Sequence, residues 1–227
     1  IVTRVVLQLQ PKSRGTHTAL CTLDSYAACT QLLNELKRSL GSGLTGFELM
    51  WDSYYDKVIE VLPNLTSPFA ESHPYYLLVE YKDNDLLSGG QRFESTLVAS
   101  LETGLLTDAL IAQSHQDAST FWAIRDGIGE LFQVLGPVSN QDVSLPVTDI
   151  GVFADDLDKR LKAKYDTIGV LLFGHIGDNN LHICAYTGHE ADKSRINEDI
   201  LLIIGAYACA LHTHPGLVGP THEYEQP

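Results

Sequence analysis

The segment Gly174-His175-Ile176-Gly177-Asp178-Asn179-Asn180-Leu181-His182-Ile183 carries two imidazoles seven positions apart, around a turn of Gly, Asp and Asn. Gly and Asn tolerate positive φ, so such a segment can reverse sharply. A reversal centred on Asp178-Asn179 predicts that His175 and His182 stand directly opposite one another. Opposed residues of an antiparallel pair have Cβ atoms roughly 4.5–5.5 Å apart. Two imidazoles so placed can share one divalent metal, with metal–nitrogen distances of about 2.0–2.1 Å for zinc. Asp178 and Asn180 are then placed to orient the rings. Two ligands hold a metal poorly, and the sequence offers His222 and Glu223 for a third, with His189, His212 and His214 as further candidates. The competing reading is a plain hairpin, in which one histidine ends a strand and the other faces solvent. On the residues alone both readings stand.

A second group able to do chemistry is Arg125, in FWAIRDGIGELFQVLG (Phe121 to Gly136). Phe121, Ile124, Ile128, Leu131 and Leu135 form the apolar stripe of an expected helix. Arg125 lies about 100° round from Ile124. Its helical neighbours would be Trp122 and Gly129. A glycine there costs roughly 1 kcal/mol relative to alanine and leaves open space beside the guanidinium. That is a place for a carboxylate, which Arg binds bidentately. The plainer alternative is a surface arginine paired with Asp126 or Glu130.

These groups need a scaffold. Strands are expected at Val2 to Leu9, Ala19 to Leu23, Leu44 to Trp51, Tyr75 to Tyr81, Thr107 to Gln113, Val143 to Leu145, Ile168 to Phe173 and Leu181 to Tyr186, from alternation and β-rich runs. Helices are expected at Tyr26 to Leu40 (capped by Asp24-Ser25), Tyr54 to Leu62, from Gly89 to about Leu101, and Thr120 to Leu135 (capped by Asp117 or Ser119). Two more are expected after Thr148 or Asp149 and at Ile196 to Leu211. The continuously apolar Ile168 to Phe173 reads as a central strand. This alternation gives an α+β fold of the ferredoxin-like kind, with two such units sharing one sheet. No GxGxxG or GxxxxGK loop occurs, so the chain has no nucleotide cradle of its own.

The chain has 227 residues, ample for a real core, and a net charge of −14. That charge argues against nucleic acid and anionic membranes as partners. No run of 18 apolar residues exists, so no membrane-spanning segment is expected. The four cysteines (Cys21, Cys29, Cys184 and Cys209) lack CxxC spacing and read as reduced, buried thiols. A cytoplasmic location fits these features. The chain opens on IVTRVVLQLQ, with Met50 as its sole methionine and no signal peptide, the pattern of a piece of a longer protein. A zinc hydrolase would want an HExxH helix, which the sequence lacks.

FWAIRDGIGE, DVSLPV (Asp142 to Val147) and GHIGDNNLHI together resemble the C-terminal domain of FAD-linked oxidases, the group of D-lactate dehydrogenases, D-2-hydroxyglutarate dehydrogenases and the glycolate oxidase flavin subunit. The family pattern GHxGDGNxH is matched except for Asn179 in place of the second glycine. The opening IVTRVVLQLQPK resembles the junction where the family leaves its flavin-binding domain. The resemblance implies a substrate, or cap, domain with an antiparallel sheet flanked by helices. It implies FAD held mainly by a separate domain that this chain does not contain, so that this chain alone would be inactive. It also implies oxidation of a D-2-hydroxyacid to a 2-oxoacid, with Arg125 and Asn180 as substrate contacts. His175, His182 and Glu223 become metal ligands for zinc or manganese, and His222 the base. The departures lie at Thr221, which aligns with the family's third metal ligand, at Cys184, where some members have Asn, and at Asn140, where dicarboxylate-specific members have Lys. The expected partners are a small 2-hydroxyacid, the flavin-binding domain and a second copy in a homodimer. The alternative is a stand-alone metal- or carboxylate-binding module without redox activity.

Overall fold

A computed structural model of the protein describes residues 4, 5, 13, 15–83 and 88–207. The strand expected at Val2 to Leu9 lies outside these residues except for positions 4 and 5, which are not strand, and Cys209, His212, His214, His222 and Glu223 lie outside them altogether.

Seven strands make one sheet: β1 (Gly15–Leu23), β2 (Leu44–Trp51), β3 (Tyr75–Asp83), β4 (Asp108–Ile111), β5 (Ser139–Ser144), β6 (Gly169–His175) and β7 (Asn180–Tyr186). Their order is β4-β1-β3-β2-β6-β7-β5, and every pairing is antiparallel. The α+β expectation is met. The first four strands of that order and the last three form two halves, joined where β2 meets β6 over three residue pairs.

Period-two alternation sends the strand side chains to two cores. Val170 and Leu172 of β6 join one, with helices α1 (Tyr26–Leu40), α3 (Gly89–Glu102), α6 (Val147–Lys164) and α7 (Glu190–Ala206). Leu171 and Phe173 join the other, with α2 (Asp52–Val61), α4 (His115–Asp126) and α5 (Ile128–Val134). Burial on both faces explains why β6 is apolar from Val170 to Phe173. α1 starts where expected, because Ser25 caps it by accepting a hydrogen bond from the Ala28 amide at 3.1 Å.

The last helix begins at Glu190 rather than Ile196, and the strand expected at Val143 to Leu145 runs from Ser139 to Ser144. Three further expectations need fuller correction. The helix expected from Thr120 to Leu135 begins earlier, at His115, capped by Ser114 rather than Asp117 or Ser119. It is also two helices, broken at Gly127. A Cβ there would approach Leu62 Cδ1 to 2.9 Å and Val58 Cγ1 to 3.0 Å, so α2 presses on the backbone at the break. The third correction is the hairpin register. β6 and β7 pair with Phe173 opposite His182, not His175 opposite His182. A single 3₁₀ turn, Ile176–Asp178, and left-handed Asn179 (φ 61°) form the tip. This is a longer reversal than a two-residue turn, and it carries His175 past the end of the β6–β7 ladder, where it pairs with Glu48 of β2. Asn is among the few side chains that tolerate this left-handed conformation, so Asn179 can stand where the resembled pattern has glycine.

Candidate functional site: an arginine and two imidazoles on one sheet face

A register error of two residues leaves side chains on the same face. His175 and His182 therefore still share a surface, as diagonal neighbours, with ring centroids 5.2 Å apart and planes at 81°. Glu48 pairs with His175, and Asp142 of β5 pairs with His182, so one face carries Glu48, His175, His182 and Asp142 across four strands.

Arg125 reaches this face from the last turn of α4. Tyr54 of α2 fixes that turn by donating its hydroxyl to the Arg125 carbonyl at 2.6 Å, while its ring stacks on Phe173 at 4.3 Å. The guanidinium lies 5.6 Å from the centre of the Phe173 ring and is only 9% exposed. Its Nε donates to Glu48 Oε2 at 3.0 Å, and its Nη2 lies 2.9 Å from the same oxygen. Nη1 donates to Asp126 Oδ1 at 3.0 Å, and Nη2 also lies 3.2 Å from His175 Nε2. The expected Asp126 pairing is present, and a buried partner, Glu48, accompanies it. Gly129 does border open space, but it sits beyond the break at Gly127, in α5.

Glu48 is the organising residue that the sequence reading missed. Its other oxygen, Oε1, accepts from His175 Nδ1 at 2.8 Å. Burial opposes ionisation of this carboxyl, but the His175 hydrogen bond and the Arg125 charge outweigh it and hold Glu48 below the ordinary carboxylate range. The signal for it was present. Glu48 is the single charged residue in Leu44–Trp51, a strand otherwise buried from Gly46 onward, and a buried charge requires partners. His182 is held in the same way, with Nδ1 on Asp142 Oδ1. The groups that orient the rings are thus Glu48 and Asp142, in place of Asp178 and Asn180. Asn180 starts β7 opposite Ser144, and its Oδ1 is buried without a hydrogen-bond partner among the described residues.

With both Nδ1 atoms on carboxylates, an arrangement common behind metal-binding histidines, His182 Nε2 is left for a ligand or metal, while His175 Nε2 already lies 3.2 Å from Arg125 Nη2 and serves a ligand only if that contact opens. Among the described residues no group of three His, Cys, Asp or Glu is arranged to hold a metal. Among the described residues the donor set therefore comprises two ring nitrogens. Cys184 and Asn140 are cross-strand partners beside this site, with Cys184 Sγ 3.2 Å from Asn140 Oδ1. Burial, and then the nearby Asp142 charge, push the Cys184 thiol up to about 12. Cys21, Cys29 and Cys184 are free and buried, as expected of structural thiols.

Comparison with known proteins identifies the family of the chain. Residues 12–207 match the family model described as FAD linked oxidases, C-terminal domain. The chain is 38% identical over 193 residues to D-2-hydroxyglutarate dehydrogenase, mitochondrial, of Arabidopsis thaliana, covering 85% of this chain and 34% of that protein. It is 31% identical to D-2-hydroxyglutarate dehydrogenase of Xanthomonas citri pv. viticola, covering 81% of this chain and 38% of that one. The chain thus spans about a third of the length of the curated relatives it matches. Among solved structures, an alkyldihydroxyacetonephosphate synthase superposes with a TM-score of 0.58 at 10% identity, covering 88% of this chain and 40% of that one. 4-Ethylphenol oxidase from Gulosibacter chungangensis does so with a TM-score of 0.53 at 12% identity, covering 88% and 45%. These two share the fold. By the extent of the family match, the chain belongs to the FAD linked oxidases, C-terminal domain family.

Proposed function

We propose that this chain is the substrate-binding part of an FAD-dependent oxidoreductase that converts a D-2-hydroxyacid to a 2-oxoacid. The observation that carries the reading is the convergence of Arg125, His175 and His182 on one sheet face, in a domain of this family. Two curated relatives bear the name D-2-hydroxyglutarate dehydrogenase, which supports a 2-hydroxyacid as the substrate class.

In this reading the substrate carboxylate binds Arg125. Nε and one N–H of Nη2 are committed to Glu48, and the other Nη2 N–H lies toward His175 Nε2, so a carboxylate approaching the Nη1–Nη2 edge displaces that contact as well as Asp126. Asp126 occupies that edge and is 59% exposed, so an incoming carboxylate can replace it at little desolvation cost. The Nε2 atoms of His175 and His182 then face the hydroxyl end of the substrate, and Asn180 contributes at the start of β7. His222, outside the described residues, is assigned the hydroxyl proton. FAD, which a flavin-binding domain of the full-length protein would hold, would supply hydride acceptance. A zinc or manganese ion would be held by His175, His182 and Glu223, where it would supply Lewis-acid polarisation.

The test is turnover by the full-length protein with its flavin domain, using a panel of D-2-hydroxyacids and an artificial electron acceptor. Turnover that falls by orders of magnitude in Arg125→Met supports the reading. Absence of turnover, with tight binding of an unrelated carboxylate, favours a module without redox chemistry.

A further inference from the structure

We infer that Glu48 is a positioning residue, which sets the tautomer of His175 and the edge of Arg125 presented to the substrate. The inference rests on the proposed roles of Arg125 and His175 and adds a third residue to them.

The reasoning starts from valence. A carboxylate only accepts hydrogen bonds. Glu48 Oε1 lies 2.8 Å from His175 Nδ1, so Nδ1 carries the proton in neutral His175, and the lone pair is left on Nε2. Glu48 Oε2 takes the side edge of Arg125, through Nε at 3.0 Å and Nη2 at 2.9 Å. One carboxylate thus dictates two orientations at once. It comes from a different strand than His175 and a different element than Arg125, and the Glu48 side chain is 7% exposed, so water does not compete for its oxygens. His182 is a built-in control, since its Nδ1 is held by a separate carboxylate, Asp142.

Glu48→Gln tests this without changing shape. The amide oxygen must face the Arg125 donors, because the amide nitrogen cannot accept from them. The amide nitrogen then points at His175 Nδ1, which becomes the acceptor, the proton moves to Nε2, and Arg125 Nη2, 3.2 Å from Nε2 in the parent, loses its acceptor there and turns to Asp126 or solvent. Long-range proton–nitrogen correlation spectra of the histidine side chains, taken on the full-length protein well above the ordinary imidazole pKa of about 6.5, read this directly. The His175 signals are assigned from His175→Gln. The expected result is Nδ1–H for His175 in the parent, Nε2–H in Glu48→Gln, and no change at His182. Alongside it, kcat/KM should fall by about 10–100-fold, the usual range for loss of an orienting partner. Nε2–H in the parent overturns the inference even if Glu48→Gln fails to fold. An unchanged tautomer in Glu48→Gln, or a changed tautomer with unchanged kinetics, also overturns it. Absence of turnover in the parent would instead count against the proposed function, and the tautomer measurement would still decide the role of Glu48.

Discussion

Replacing Arg125 by Met and Glu48 by Leu, singly and together, measures how firmly α4 is tied to β2. Each single change strands a charge that is 10% or 7% exposed. Breaking a buried pair by removing one partner costs about 3–5 kcal/mol. The lower end applies here, because His175 still serves Glu48 and Asp126 still serves Arg125. Each single substitution should therefore cost about 3 kcal/mol. At about 2–4 °C per kcal/mol for a domain of this size, the melting temperature should drop by roughly 6–12 °C. The double substitution leaves no stranded charge, and its cost should be close to that of either single one. The coupling is then about 2–3 kcal/mol, at the top of the range for residues in contact. Urea unfolding of all four proteins, with equal m-values, gives the number. A coupling below about 0.5 kcal/mol would mean that the two side chains act independently. The ion pair, and the account of Arg125 built on it, would then be refuted.

Three further outcomes are expected. Gly174→Ala should destabilise the protein by about 1–3 kcal/mol or more, measured by urea unfolding, because its Cβ would lie 2.4 Å from the Asn180 carbonyl oxygen and 2.9 Å from Leu181 Cα, both backbone atoms. Asp126→Asn should lower KM for the hydroxyacid about three- to tenfold, with kcat little changed, since it removes an exposed charge that competes for Nη1 at a cost of about 1 kcal/mol; an unchanged or raised KM contradicts the exchange. Glu48 has its carboxyl pKa lowered by folding, so its contribution is fully present above the unfolded value of about 4.3 and is lost as pH falls through the lower folded value. The stability advantage of the parent over Glu48→Gln should therefore be flat above about pH 4.3 and shrink below it, read from urea midpoints across pH.

The scaffold was readable where one local signal decided the structure. α1 has a serine cap and a five-residue buried apolar stripe, and its ends fell where expected. β6 is apolar from Val170 to Phe173, and that run is buried on both faces. Where tertiary contacts decided, local signals failed. The apolar stripe runs through Gly127 without a break, and only the crowding by Val58 of α2 and by Leu62, just after it, shows why the helix must part there. The histidine pair survived a wrong register because the error was an even number of residues. An odd slip would have put the rings on opposite faces. The carboxylates behind the rings were hidden for another reason. Glu48 is 127 positions from His175, and Asp142 is 40 from His182, distances over which no sequence period operates.

The site also has a mechanical meaning. The two halves of the sheet meet along a seam of three residue pairs between β2 and β6, and one of those pairs is Glu48 with His175. Arg125, anchored to the first half through Glu48, reaches across to His175 on the second. The ionic cluster is therefore a rivet at the weakest join of the sheet. A substrate that ties Arg125 to His175 tightens that rivet, so occupancy should stiffen the joint between the halves as well as prepare the chemistry.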